Sequence, residues 1–132
     1  MVFQMPEVLV LLVEDEELLA LVLEQSFGDA GYKLVIAEHG ASGISELESD
    51  PHRFHAIVTD IRMPGKLTGW DVAHRARELV PTIPVVYMSG DSAKDWAANG
   101  VPNSVMLTKP FAVDQAVTAV SQLLNQVPPQ AT

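Results

Sequence analysis

"HAIVTDIRMPG", His55 to Gly65, holds a short apolar run, an aspartate at its end and a proline–glycine turn. The run from Ala56 to Thr59 is rich in β-branched side chains and too short for a helix, so it reads as a buried strand closing on Asp60. After the "MPGKLTG" punctuation, residues from about Trp70 to Val80 return apolar side chains at helical spacing. A strand, a turn and a crossover helix make one unit of a parallel sheet.

The same unit recurs on both sides. Upstream, "VLVLLV" (Val8 to Val13) is a strand, and the acidic, leucine-studded stretch Glu16 to Gly28 is a helix with its apolar stripe against the sheet. "KLVIAE" (Lys33 to Glu38) follows as a second strand. The helix from Gly40 to Ser49 is closed by Asp50-Pro51, because the residue before a proline leaves the helical region. Downstream, "IPVVYMS" is the fourth strand and "SAKDWAANG" a short fourth helix. "SVMLT" is the fifth strand, and "VDQAVTAVSQLLNQV" the last helix. The expected fold is α/β: a flavodoxin-like, doubly wound (βα)5 unit with five parallel strands in a three-layer α/β/α sandwich. Residues 1–127 are expected to form one domain and 128–132 a flexible tail, with no output domain.

Composition narrows the function. The 132 residues and 48% hydrophobic content fit one compact domain with a real core. Seventeen acidic against eight basic residues give a net charge of -9, which disfavours nucleic acid and anionic membrane surfaces as partners. Without cysteine there is no disulfide framework or thiolate site, so any metal would be a hard cation held by oxygen. The opening "MVFQMPEVLVLLVEDEE" lacks a basic leader, and acids interrupt it well short of a membrane span. A cytoplasmic location is the expectation.

In an open parallel sheet the working crevice lies beyond the carboxyl ends of the strands. There the sequence places Glu14 and Asp15 after strand one, Asp60 on strand three, Ser89 on strand four, and Thr108, Lys109 and Pro110 after strand five. Carboxylates gathered this closely oppose one another's ionisation unless a cation sits among them, and carboxylate oxygens suit magnesium. Plainer roles exist for single residues. Glu16 and Glu17 suit a helix N-terminus, Ser89 a turn or capping hydroxyl, and Lys109 a solvated surface. Complementary groups on four separate strand ends are harder to explain that way.

"LLVEDEE", "VTDIRMPG", "MSGD" and "LTKPF", in that order, resemble the receiver domains of two-component response regulators, and the resemblance covers nearly the whole chain. It implies that Asp60 accepts a phosphoryl group from a sensor histidine kinase or histidine phosphotransfer protein. It further implies that Asp15 and Asp60 coordinate Mg2+ directly, that Glu14 assists through water, and that the backbone carbonyl of Arg62 completes the protein ligands. Ser89 would be the switch hydroxyl and Lys109 the phosphoryl contact, with a cis bond to Pro110. The downstream target is an unspecified protein, reached by contact or replaced by a phosphate-sink role. A phosphorylation-dependent dimer through the face of helix four, strand five and helix five is a further implied option.

Three features depart from the family pattern. The loop between Pro64 and Gly69 is one residue longer, the stretch from Ser89 to Lys109 is short enough to trim helix four, and the switch position three before the lysine, usually aromatic, is Met106. A methionine specifies its rotamer less sharply than a ring. "GKLTG" is not a phosphate-binding loop, since Leu67 separates lysine from threonine and the earlier glycine is missing. His39, His52, His55 and His74 are scattered without ligand spacing, and Trp96 suits a partner contact or amphipathic packing, with packing the preferred reading. A flavodoxin-like mononucleotide binder would place phosphate against the three acids, which would repel it. A magnesium-dependent aspartyl phosphatase needs an acid two residues after its nucleophile, where this chain has Arg62.

Overall fold

A computed structural model describes residues 7–126. The proposed tail at 128–132 lies outside the described residues. Five strands, β1 (Val8–Val13), β2 (Tyr32–Ala37), β3 (Ala56–Asp60), β4 (Val85–Ser89) and β5 (Ser104–Thr108), form one parallel sheet in the order β2-β1-β3-β4-β5. This order is that of a flavodoxin-like fold, the class expected from the sequence. The three central strands are apolar on both faces because helices cover both: α2 (Gly40–Ser49) and α3 (Gly69–Leu79) on one side, α1 (Glu17–Asp29) and α5 (Val113–Gln126) on the other. Strand alternation sorts the core accordingly. Leu11, Val13, Ile57, Val85 and Tyr87 face α2 and α3, whereas Val10, Leu12, Val58, Val86 and Met88 face α1 and α5.

Most element boundaries fall within a residue or two of the sequence expectation, and the differences have local causes. Helix α3 begins at Gly69 rather than Trp70 because Thr68 closes a capping box: its Oγ1 accepts from Asp71 N, and Asp71 Oδ2 accepts from Thr68 N at 2.8 Å. Strand β4 starts two residues late, after Pro84, which has no N–H for the ladder. The fourth helix is shorter still than expected. A 3-10 turn over Ala93–Asp95 leads into one helical turn, α4 (Trp96–Asn99). In α1 the stripe against the sheet is Ala20, Leu23 and Phe27, while Leu18, Leu21 and Val22 point outward.

Candidate functional site

From β1 the chain turns to β2 on one side, and from β3 it proceeds to β4 on the other. The strand order therefore reverses between β1 and β3, and the connections leaving their carboxyl ends diverge to open a crevice. Glu14 and Asp15 follow β1, and Asp60 ends β3, so both borders of the crevice are acidic. Glu14 and Asp60 are buried and Asp15 is exposed. One carboxylate oxygen from each of the three lies within 4.8 Å of the others.

Backbone contacts fix these groups. Glu14 N–H donates to Ala37 O, and its carboxylate accepts from Glu16 N at 3.0 Å. Asp60 Oδ1 accepts from Ile61 N at 2.8 Å. The start of α3 presses against the end of β3 so closely that a Cβ at Gly69 would run into the carbonyl oxygen of Asp60. Lys109 N–H donates to Ser89 O at 2.8 Å, and its Nζ reaches across to Asp60 Oδ2 at 3.2 Å and Glu14 Oε1 at 3.5 Å. The expected cis bond joins Lys109 to Pro110.

The electrostatics follow from burial. Desolvation pushes Glu14 up to about 7, with the charge of Asp60 adding to the rise and the Glu16 N–H and Lys109 opposing it. Asp60 is raised in the same way by burial, against the pull of Lys109. Burial works against the charge of Lys109, but Asp60 and Glu14 outweigh it and raise the ammonium's pKa. With all three acids ionised, one ammonium leaves two negative charges uncompensated. A divalent cation supplies that balance, and two ligands facing each other across magnesium stand about 4 Å apart. The carboxylate set therefore fits Mg2+.

Ser89 closes β4 on the same edge, buried, with its oxygen turned into the following loop. Its Oγ accepts from Asp91 N at 3.2 Å and Ser92 N at 2.7 Å, which leaves the hydroxyl proton uncommitted by those bonds. The side chain of Arg62 leaves the crevice for Asp91, Nε to Oδ2 3.3 Å. Met106 is half-buried in β5, opposite Tyr87 in the ladder and against the core beneath α2 and α3. Among the described residues the histidines build no metal cluster. They act singly: His39 caps α2 by accepting from Ser42 N, His55 accepts from Leu9 N, and His74 Nε2 bonds Asn99 O. The His39 cap was missed in the sequence, where only the His-x-x-Ser spacing hints at it.

The response regulator receiver domain profile matches residues 10–121. The chain belongs to the response regulator receiver domain family. Receiver domains serve two-component signalling as phosphoacceptors rather than as enzymes acting on a small substrate. This receiver is 45% identical to a response regulator receiver protein from Sinorhizobium medicae WSM419, with a TM-score of 0.89 over 92% of this chain and 98% of that one. It is 29% identical over 119 residues to the DNA-binding transcriptional regulator NtrC of Escherichia coli K12, covering 89% of this chain but 25% of NtrC. The receiver domain of sensor histidine kinase PA1611 from Pseudomonas aeruginosa PAO1, whose crystal structure has a magnesium ion coordinated in the active site cleft, shares the fold. Its TM-score is 0.77 at 21% identity, over 92% of this receiver and 100% of that domain. No helix among the described residues of the receiver is long and apolar enough to cross a membrane.

Proposed function

We propose that this receiver takes a phosphoryl group onto Asp60 from a phosphohistidine of a histidine kinase or phosphotransfer protein. The observation that carries the reading is the Asp60 carboxylate, anchored through Oδ1 by the Ile61 N–H and facing Lys109 through Oδ2 beside Glu14 and Asp15. A carboxylate oxygen of Asp60 attacks phosphorus as the phosphorus–nitrogen bond breaks. The electron pair stays on the imidazole nitrogen, which then takes up a proton. Phosphoryl transfer through a loose transition state asks mainly for alignment and neutralisation. Lys109 meets phosphoryl charge from one side. The hydroxyl proton of Ser89 can be donated to a phosphoryl oxygen without surrendering the two bonds its oxygen accepts. Magnesium, held by Asp15 and Asp60 with Glu14 through water and the Arg62 carbonyl, would supply the remaining positive charge. The PA1611 receiver, with magnesium in its cleft, supports that assignment.

The docking surface follows from α1. Leu18 and Leu21 are 68% and 60% exposed, and with Val22 and Ile36 they form an apolar patch beside the crevice. A cleft of about 200 Å3 lined by Asp15, Glu17, Leu21, Glu24 and Ile36 joins the patch to the site. A donor protein presenting apolar side chains flanked by basic ones would complement it. The cytoplasm, where kinase domains meet their receivers, is the proposed location.

The test is incorporation of phosphate from acetyl phosphate, read as intact mass. Asp60→Asn keeps the shape and an acceptor for the Ile61 N–H but removes the nucleophile, so stable incorporation should vanish while the circular dichroism spectrum is unchanged. Undiminished incorporation in that variant would refute the assignment.

A further inference from the structure

The crossover from β4 to β5 is anchored very unequally along its length. Its second part is pinned at nearly every residue. His74 Nε2 bonds Asn99 O at 2.8 Å, Val101 N donates to Tyr87 Oη at 3.1 Å, and Arg77 donates to Pro102 O and Asn103 O. Ser104 Oγ donates to Val101 O at 2.6 Å. Tyr87 itself cannot turn freely. It is wholly buried, its ring lies 4.7 Å from that of Trp70, and rotation would orphan the buried Val101 N–H. The first part has no such footing. Neither the 3-10 turn nor α4 buries a single residue. Before them Ser92 is buried, and the stretch from Gly90 to Ala98 is held at its start by the buried Ser89 Oγ, which accepts from Asp91 N and Ser92 N, and by the exposed Arg62–Asp91 pair. At its far end the one tether is Trp96. The indole packs on Gly100, where a Cβ would run into it, and its Nε1 donates to Ser104 Oγ at 2.9 Å.

We infer that the crossover divides after Ala98 into a fixed buttress, Asn99–Ser104, and a flap, Gly90–Ala98, that Trp96 latches onto the buttress. The inference rests on the phosphoacceptor reading for its trigger, since Ser89 is the residue through which a phosphoryl group on Asp60 would reach the flap. A pull on Ser89 finds β4 locked by Tyr87 and the buttress locked by α3. Within the crossover the compliant segment is the flap, and its release from the buttress breaks the exposed Trp96 Nε1–Ser104 Oγ bond rather than opening the core. This route does not pass through Met106: that residue stands opposite the locked Tyr87.

Amide hydrogen exchange by mass spectrometry on the full chain tests this, in Mg2+ with and without acetyl phosphate, with intact mass read on the same samples. Phosphorylation should speed exchange in the Gly90–Ala98 region by about fivefold or more, the factor for losing one exposed hydrogen bond, and leave Asn99–Ser104 within about twofold. Trp96→Phe, which removes the Nε1 donor, should by itself speed the flap to a similar degree without phosphate. Tyr87→Phe should instead speed the Asn99–Ser104 region. If phosphate is incorporated but the change extends through Asn99–Ser104, or spares the flap, the division after Ala98 is wrong and the phosphoacceptor reading stands. If no phosphate is incorporated, that reading fails and the trigger with it, while the Trp96→Phe arm still decides the latch: unchanged flap exchange there overturns it.

Discussion

Glu14 is the residue whose titration the fold alters most visibly, from an ordinary 4.5 to about 7. The folded state then holds a proton that the unfolded chain gives up. The associated stability is fully present below pH 4.5 and is lost as pH rises through 7. In magnesium-free buffer the wild type should therefore gain stability relative to Glu14→Gln as pH falls from about 8 to 5. The gain is bounded by about 3 kcal/mol, since each pKa unit is about 1.4 kcal/mol. Melting temperatures of the two proteins across that range check it, and parallel curves would count against a buried, protonatable Glu14. The same proton competes with a cation, so magnesium affinity should weaken below pH 7. Glu14, Asp15, Asp60 and Lys109 were legible because strand ends in a parallel sheet share one edge, whatever the loops do. For Ser89 the role of a turn hydroxyl was legible, but not which N–H groups it accepts from, because a hydroxyl's partners depend on the path of the next three residues.

At the scale of elements, local chemistry that the sequence pattern blurs becomes decisive. The Thr68–Asp71 capping box sets where α3 starts, and hence how tightly Gly69 backs onto Asp60. Thr68→Ala should cost about 1 kcal/mol in urea unfolding; no measurable loss would mean the box is decorative. The sequence placed an apolar stripe of α1 against the sheet but did not show which leucines lie outside it, for a physical reason. Leucines at helical spacing announce an apolar helix, but only contact with the sheet tells which stripe is covered. Ala20, Leu23 and Phe27 are covered, and Leu18 and Leu21 are not. If that uncovered stripe receives the donor protein, Leu18→Glu together with Leu21→Ser should lower the rate of transfer from a cognate phosphohistidine protein at least tenfold, as two lost apolar contacts of about 1 kcal/mol or more each imply. Phosphorylation by acetyl phosphate, which needs no docking, should be unaffected. Equal loss with both donors would place the leucines in folding instead. The trimmed fourth helix, by contrast, was visible simply from the short span between Ser89 and Lys109.

For the whole molecule, folding is what brings the three acids together, so a cation that binds the cluster favours the folded chain by mass action. Saturating magnesium should raise the melting temperature by several degrees, the expected consequence of about 2 to 3 kcal/mol at a hundredfold excess over Kd. Asp15→Asn should cut the response, and sodium chloride at equal ionic strength should not reproduce it. A melting temperature indifferent to magnesium would argue that the cluster holds no ion. The architecture was readable from the sequence because five strands and their helices alternate in a pattern few folds share. The fine division of the last crossover was not, because it depends on which side chains meet across it. A parallel sheet also has poles. Every strand points its carboxyl end at the crevice, so β1 opens at Val8, and α5, running back along the sheet, finishes at Gln126 beside Pro81 and Pro84, at the other pole. The start of β1 and the end of α5 can therefore each serve as a handle. Coupled to a sensor surface, a bead or a fused reporter through the start of β1 or the end of α5, every molecule would present its acidic mouth outward, in one orientation and open to a visiting protein.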